Sequence, residues 1–256
     1  MKFFKLSLII MCLNTFTTGV IMAEPSEFQV GFFESASCSL PFRIYTPGGD
    51  APAEGPGLLL FLHGMGERGS ENEKQLWNGV SDILAFVKKQ DEKIIILVPQ
   101  CPENGLWVDG DYKASEYRQA DRPSKPMKAV IELLNDIISK HGVNRKRIYA
   151  TGLSMGGFGT WDLIMRKPEM FAAAVPVCGG GDPLKAEKTI NLPVWIFHGG
   201  SDPVVRPELS RIMKETLEKK GIPVRYTEYP GVGHNSWSMT YSSDEVLLWL
   251  FRQTQG

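Results

Sequence analysis

Five short runs of the chain are apolar at nearly every position: Leu58–Leu62, Ile94–Val98, Ile148–Gly152, Ala172–Val177 and Val194–His198. A strand wetted on one face alternates apolar and polar residues. A continuous apolar run is what a strand covered on both faces shows. Between these runs the period changes. Val130, Ile131, Leu134, Ile137 and Ile138 recur at three-four spacing behind Ser124, a predicted N-cap, and the pattern stops at Gly142. Leu209, Ile212, Met213 and Leu217 form a second stripe that ends at Gly221. Ser242-x-x-Glu245 reads as a capping box ahead of a helix over Val246–Phe251. Phe42–Tyr45 and Val224–Tyr229 are predicted as further strands. Strand and helix alternate, so the expected class is α/β, a mostly parallel central sheet flanked by helices. No repeat or linker interrupts it, and residues 24–256 are expected to form a single domain. Residues 99–126 are polar, rich in Pro and Gly, and carry Trp107, Tyr112 and Tyr117. This stretch follows a predicted strand, where loops of a parallel sheet border the binding site.

Composition narrows the class without naming a function. Of 256 residues, 43% are hydrophobic and 22% charged, enough for one well-buried globular core. A net charge of −1 lacks the basic footprint that nucleic acid or an acidic membrane surface requires. The start is set apart from the rest. Lys2 and Lys5 precede the apolar stretch Leu6–Leu13, and Ile21-Met22-Ala23 stands before Glu24-Pro25. This is the layout of an export signal cleaved after Ala23. An uncleaved anchor is the alternative, but Asn14, Thr15, Thr17, Thr18 and Gly19 break the run short of a membrane span. Removing residues 1–23 leaves 26 basic against 29 acidic side chains, a charge of −3. It also leaves Cys38, Cys101 and Cys178, which allow at most one disulfide.

The candidate chemistry centres on Gly152-Leu153-Ser154-Met155-Gly156, a G-x-S-x-G directly after an apolar strand and before a helix carrying Phe158, Trp161, Ile164 and Met165. A sharp strand-to-helix turn forces its serine into strained torsions and demands small neighbours. A serine hydroxyl needs a base and an oxyanion hole to act as a nucleophile. Of the four histidines, His234 alone lies in a glycine-bracketed loop, after the Val224–Tyr229 strand. His141 sits near a helix end, and His63 and His198 each close an apolar strand ahead of a glycine, where a structural role is expected. Asp202, just beyond the Val194–His198 strand, is the carboxylate placed to orient an imidazole. Asp182 and Glu228 are its rivals. The chain order is Ser154, Asp202, His234. Backbone amides for an oxyanion are expected from Met155 and from Met65, with Gly64 as the alternative to Met65. Glu67 and Arg68 flank that loop, as a local ion pair or as substrate contacts. Trp107 and Trp237 are candidates to line an acyl or alcohol pocket.

HGMGERG, GLSMGGFGTW, HGGSDPVV and GVGHNSW together resemble the α/β-hydrolase serine esterases of the phospholipase/carboxylesterase and feruloyl-esterase-like kind. They are also similar to prolyl oligopeptidase catalytic domains and to dienelactone hydrolases. The likeness runs over roughly residues 35–252. It implies the α/β-hydrolase fold, a Ser154–Asp202–His234 triad, an oxyanion hole at Met65 and Met155, and an acyl-serine route. The short Ser154–Asp202 interval leaves room for one strand and its connections but no large lid domain, and no cofactor or metal is expected. Dienelactone hydrolases carry cysteine where this chain has Ser154. The expectation is an exported, periplasmic or extracellular ester hydrolase whose partner is a small or polysaccharide-linked ester, such as an acetyl or feruloyl group on plant polysaccharide. A peptidase of the prolyl-oligopeptidase type and a lipid or thioester hydrolase are the alternatives. Neither nucleic acid nor a stable membrane span enters this expectation.

Overall fold

The computed structural model describes residues 25–50 and 52–256. The export-signal expectation for residues 1–23 lies outside that range. All five continuous apolar runs become strands: β3 (Gly57–Leu62), β4 (Ile94–Pro99), β5 (Ile148–Leu153), β6 (Ala173–Val177) and β7 (Val194–Gly199). With β1 (Gln29–Glu34), β2 (Ser39–Tyr45) and β8 (Val224–Tyr229) they make one eight-stranded sheet in the order β1-β2-β4-β3-β5-β6-β7-β8. β1 and β2 run antiparallel to their neighbours, while β4, β3, β5, β6, β7 and β8 are mutually parallel.

The reason for the continuous runs is visible in β3. Leu58, Leu60 and Leu62 enter one core with helices α2 (Lys125–Lys140), α3 (Met155–Arg166) and α4 (Glu208–Lys219). Leu59 and Phe61 enter a second core on the opposite face with α1 (Val80–Lys89) and α6 (Asp244–Arg252). Both faces of the strand are dry, so no position is left for a polar residue. Among the described residues no helix is long and apolar enough to cross a membrane.

Ser124 caps α2 as its sequence predicts, its Oγ accepting from the Met127 N–H at 3.1 Å. The predicted capping box at Ser242 does not form. Ser242 instead closes the short helix α5 (Trp237–Tyr241), its N–H donating to the Ser238 carbonyl, and α6 starts one residue later behind Ser243. Three elements lie beyond the sequence expectations, the edge strand β1 and helices α1 and α5. The irregular stretch after β4 is neither helix nor strand, yet it is pinned down: Cys101, Trp107, Val108 and Tyr117 are all buried in the first core. Cys38, Cys101 and Cys178 are free thiols.

Candidate active site

The parallel strands β3, β5, β7 and the edge strand β8 all deliver functional residues at their carboxyl ends, as open α/β sheets do. Ser154 sits in the single step between β5 and α3 with φ +54° and ψ −118°. A non-glycine residue rarely adopts this left-handed region, and the turn is held from outside. The Ser154 N–H donates to the Val177 carbonyl at 3.0 Å, and the Ser154 carbonyl accepts from the Phe158 N–H at 3.1 Å. Gly156 makes the turn possible, because a Cβ there would lie 1.8 Å from the Leu62 carbonyl oxygen.

His234 stands in the loop from β8 to α5. Its Nε2 is 2.9 Å from Ser154 Oγ, and its Nδ1 is 2.7 Å from Asp202 Oδ2. The His234 carbonyl accepts from the Ser236 N–H at 2.8 Å, and the imidazole meets the Trp237 ring edge-on at 5.3 Å. Asp202 follows β7. Its Oδ1 accepts from the amides of Val204 at 2.8 Å and Val205 at 3.0 Å. Burial pushes the Asp202 carboxyl up, but hydrogen bonds from His198, His234 and those two amides outweigh it. They hold the group well below the ordinary carboxylate range. Asp202 is therefore an anion aimed at Nδ1, which fixes the proton there and leaves Nε2 as the acceptor facing the serine.

Ser154, Asp202 and His234 are thus brought together. The rival acids are not. Asp182 accepts from the Gln119 and Leu184 amides, each at 3.0 Å, as the N-cap of a 3-10 turn. Glu228 is held by Arg211 at 2.7 and 2.8 Å and by the Tyr226 hydroxyl.

Met155 opens α3, so its N–H belongs to the helix terminus beside Ser154. Met65 begins a 3-10 turn just after β3. The loop passes close to the serine, since a Cβ on Gly64 would lie 3.7 Å from Ser154 Cβ. Its shape is kept by Arg68, whose Nε donates to the Met65 carbonyl at 3.0 Å and whose Nη1 donates to that of Gly105 at 3.2 Å. The expected Glu67–Arg68 ion pair does not form. Arg68 turns to these carbonyls, whereas Glu67 turns inward, accepts from Asn78 Nδ2 at 2.8 Å and keeps Oε2 buried without a donor. Desolvation raises the Glu67 carboxyl accordingly. Trp107 is corrected too. It is fully buried and donates from Nε1 to the His63 carbonyl at 3.0 Å, so it belongs to the core rather than to a pocket wall.

Two residues at the site escaped sequence reading. His198, expected only as a strand-end histidine, is buried with Nε2 3.3 Å from Asp202 Oδ2. The i,i+4 spacing of His198 and Asp202 across Gly199-Gly200-Ser201 was the available clue. Cys178, with φ +40°, follows β6 and is also buried. Its sulfur, Asp202 and His234 offer ligand atoms within 4.8 Å of one another. Asp202 and His234 are committed to each other, and burial pushes the Cys178 thiol up to about 12, so this set presents a proton rather than a thiolate to a cation.

The fold and this geometry place the chain among the α/β-hydrolases of the serine-esterase superfamily. Residues 110–244 match the Dienelactone hydrolase family, and the chain belongs to it. A solved thermostable esterase is 37% identical with a TM-score of 0.83. The match covers 90% of this chain and 64% of that one, so this chain spans less than two thirds of its length. Acyl-protein thioesterase 1 of Neurospora crassa is 25% identical over 73% of this chain and 83% of its own length. Poly(3-hydroxyalkanoate) depolymerase C of Paucimonas lemoignei is 25% identical over 64% of this chain and 38% of its own length.

Proposed function

We propose that the protein is an exported serine carboxylic-ester hydrolase working through an acyl-serine, with acetyl or feruloyl groups on plant polysaccharide as its substrate class. The observation that carries this reading is the unbroken chain Ser154 Oγ–His234 Nε2 at 2.9 Å and His234 Nδ1–Asp202 Oδ2 at 2.7 Å. In this scheme His234 Nε2 takes the hydroxyl proton as Ser154 Oγ attacks the ester carbonyl. The tetrahedral oxyanion is met by the Met155 and Met65 amides. The carbon–oxygen bond to the leaving alcohol breaks, and His234 returns the proton to that alcohol. Water, deprotonated by His234, then attacks the acyl-serine and releases the acid. Asp202 stabilises the imidazolium at each step.

Support for a bulky alcohol comes from the approach. Ser154 and His234 are both partly exposed, and the chain between Ser154 and Asp202 is spent on α3, β6, two 3-10 turns and β7. Met65 from the β3 loop and Met239 from α5 are exposed on segments that flank the serine and His234, an apolar rim suited to an aromatic or aliphatic acyl group. The likeness to a thioesterase favours acyl thioesters as the second reading.

The test is initial rates of residues 24–256 on acetyl, butyryl and long-chain nitrophenyl esters, methyl ferulate, acetylated xylan, an acyl thioester and an X-Pro anilide, with Ser154→Ala as blank. Turnover of short or feruloyl esters by the wild type alone is the expected result. Preference for the thioester moves the assignment to the second reading, and silence on every ester with turnover of the anilide overturns it in favour of a peptidase.

A further inference from the structure

We infer that His198 is a positioning residue of the Ser154–His234–Asp202 relay, a second imidazole that shares the Asp202 carboxylate and sets the pH range in which His234 works. The inference rests on the serine-hydrolase reading for its kinetic arm only.

The proton count around His198 is decisive. Its Nε2 faces two oxygens that can only accept, the Val205 carbonyl at 3.0 Å and the ionised Asp202 Oδ2 at 3.3 Å. A lone pair on Nε2 would confront both, so Nε2 carries a proton shared between them. Its Nδ1 lies 2.7 Å from Ser210 Oγ on α4, and that hydroxyl is also 3.1 Å from the Gly179 carbonyl. His198 is completely buried, so neither ring nitrogen turns to water.

Asp202 therefore has every lone-pair direction occupied. Oδ1 receives two backbone amides, while Oδ2 receives His234 Nδ1–H and, more weakly, His198 Nε2–H. Two donors on one oxygen compete for its charge. The share drawn by His198 is withdrawn from the imidazolium that His234 becomes, which lowers the pH at which His234 holds a proton. The other groups around His198 are already paired or neutral. Glu228, opposite it on β8, is taken by Arg211 of α4 and by Tyr226, and Cys178 beside the β7 end is a protonated thiol. Around His234 the facing groups are Asp202, Ser154, Cys178 and the Trp237 ring.

His198→Leu removes the donor, and His198→Gln returns an N–H near the Nε2 position. With His198→Leu, the acid limb of kcat/KM moves to higher pH by about half a unit. The deficit against wild type is then about threefold well below the limb and vanishes above it. His198→Gln restores at least part of the shift. A packing role alone gives a deficit that is the same at every pH. The His234 imidazole is followed in parallel by 15N NMR titration, which needs no substrate and works in the Ser154→Ala background. A midpoint raised in His198→Leu supports the inference even if none of the esters is turned over, an outcome that would count against the proposed activity alone. An unmoved midpoint in a folded variant, or a pH-independent deficit equal in both substitutions, overturns it.

Discussion

Replacing Asp202 by asparagine is the most discriminating perturbation, because the structure dictates which way the new amide must face. The two backbone amides of Val204 and Val205 both donate to Oδ1. The asparagine carbonyl is the only side-chain atom that can accept them, so its NH₂ is forced into the place of Oδ2. That group then points hydrogens at His234 Nδ1 and at His198 Nε2, which already carries a proton for Val205. His234 can meet it only with a bare Nδ1, which moves the imidazole proton to Nε2, 2.9 Å from Ser154 Oγ. The base now offers a proton to the hydroxyl it should deprotonate. Wrong-tautomer variants of such relays lose on the order of 10³–10⁴ in turnover, equivalent to about 4–5 kcal/mol of transition-state stabilisation. The assay is kcat/KM on a short nitrophenyl ester at a pH above the acid limb, alongside circular dichroism and a melting curve. Asp182→Asn is the matched control. Its carboxylate accepts the Gln119 and Leu184 amides and pairs with the Arg118 guanidinium at 3.7 Å, away from His234, so it should lose stability and keep its rate. A folded Asp202→Asn enzyme within about tenfold of wild type, or a larger rate loss in Asp182→Asn, would refute the assignment of the acid.

Three further outcomes follow from the same geometry. Ser154→Ala removes the nucleophile while alanine's small side chain tolerates the turn, so turnover should vanish with the fold intact; a residual rate above about a tenth of wild type would mean that another group attacks. Gly156→Ala puts a Cβ 1.8 Å from the Leu62 carbonyl, backbone against backbone, and should cost about 1–3 kcal/mol or more in urea unfolding; an unchanged midpoint would show that the elbow can spread. Burial holds His63 down to about 4, so the folded state stays unprotonated there while an unfolded histidine takes its proton below about 6.5. Stability linked to His63 is therefore complete above about pH 6.5 and lost as the pH falls toward 4, about 3 kcal/mol in all. The stability difference between wild type and His63→Gln should shrink over that window, and a constant difference sinks the argument.

What the sequence displayed was whatever depends on neighbours in the chain. A strand dry on both faces must be apolar throughout, so β3 to β7 stood out. Ser154 stood out because its turn requires Gly156 close by. Asp202 and His234 stood out because each follows a strand in the right order. Contacts made across turns did not show. Glu67 and Arg68 are adjacent and opposite in charge, yet the 3-10 turn between Met65 and Glu67 sends one inward and the other to the Gly105 carbonyl. Trp107 lies in a polar stretch whose path under α2 and α3 is set by packing, and no local pattern marks it as core. β1 was missed because it is an edge strand with Val30 and Phe32 exposed, so burial imposes little pattern on it.

The two histidines set aside as structural prove to occupy equivalent places in the machinery. Leu62-His63-Gly64 ends β3 and Phe197-His198-Gly199 ends β7, and in both the buried imidazole stitches a strand end to the loop that follows. His63 Nε2 accepts from the Cys101 N–H at 2.9 Å, and its Nδ1 donates to the Gly64 carbonyl, one residue before Met65. It thereby ties the expected oxyanion loop to the end of β4. His198 ties the Asp202 turn to α4 through Ser210. A neutral imidazole suits the His63 position because it offers one donor and one acceptor on a rigid ring, meeting the Gly64 carbonyl on one side and the Cys101 N–H on the other. Acid reaches the His63 support as well as the base itself. The loss of activity at low pH should accordingly have two phases, a reversible one as His234 protonates and a second, tied to unfolding, as His63 is forced to accept a proton it has no room to hydrate.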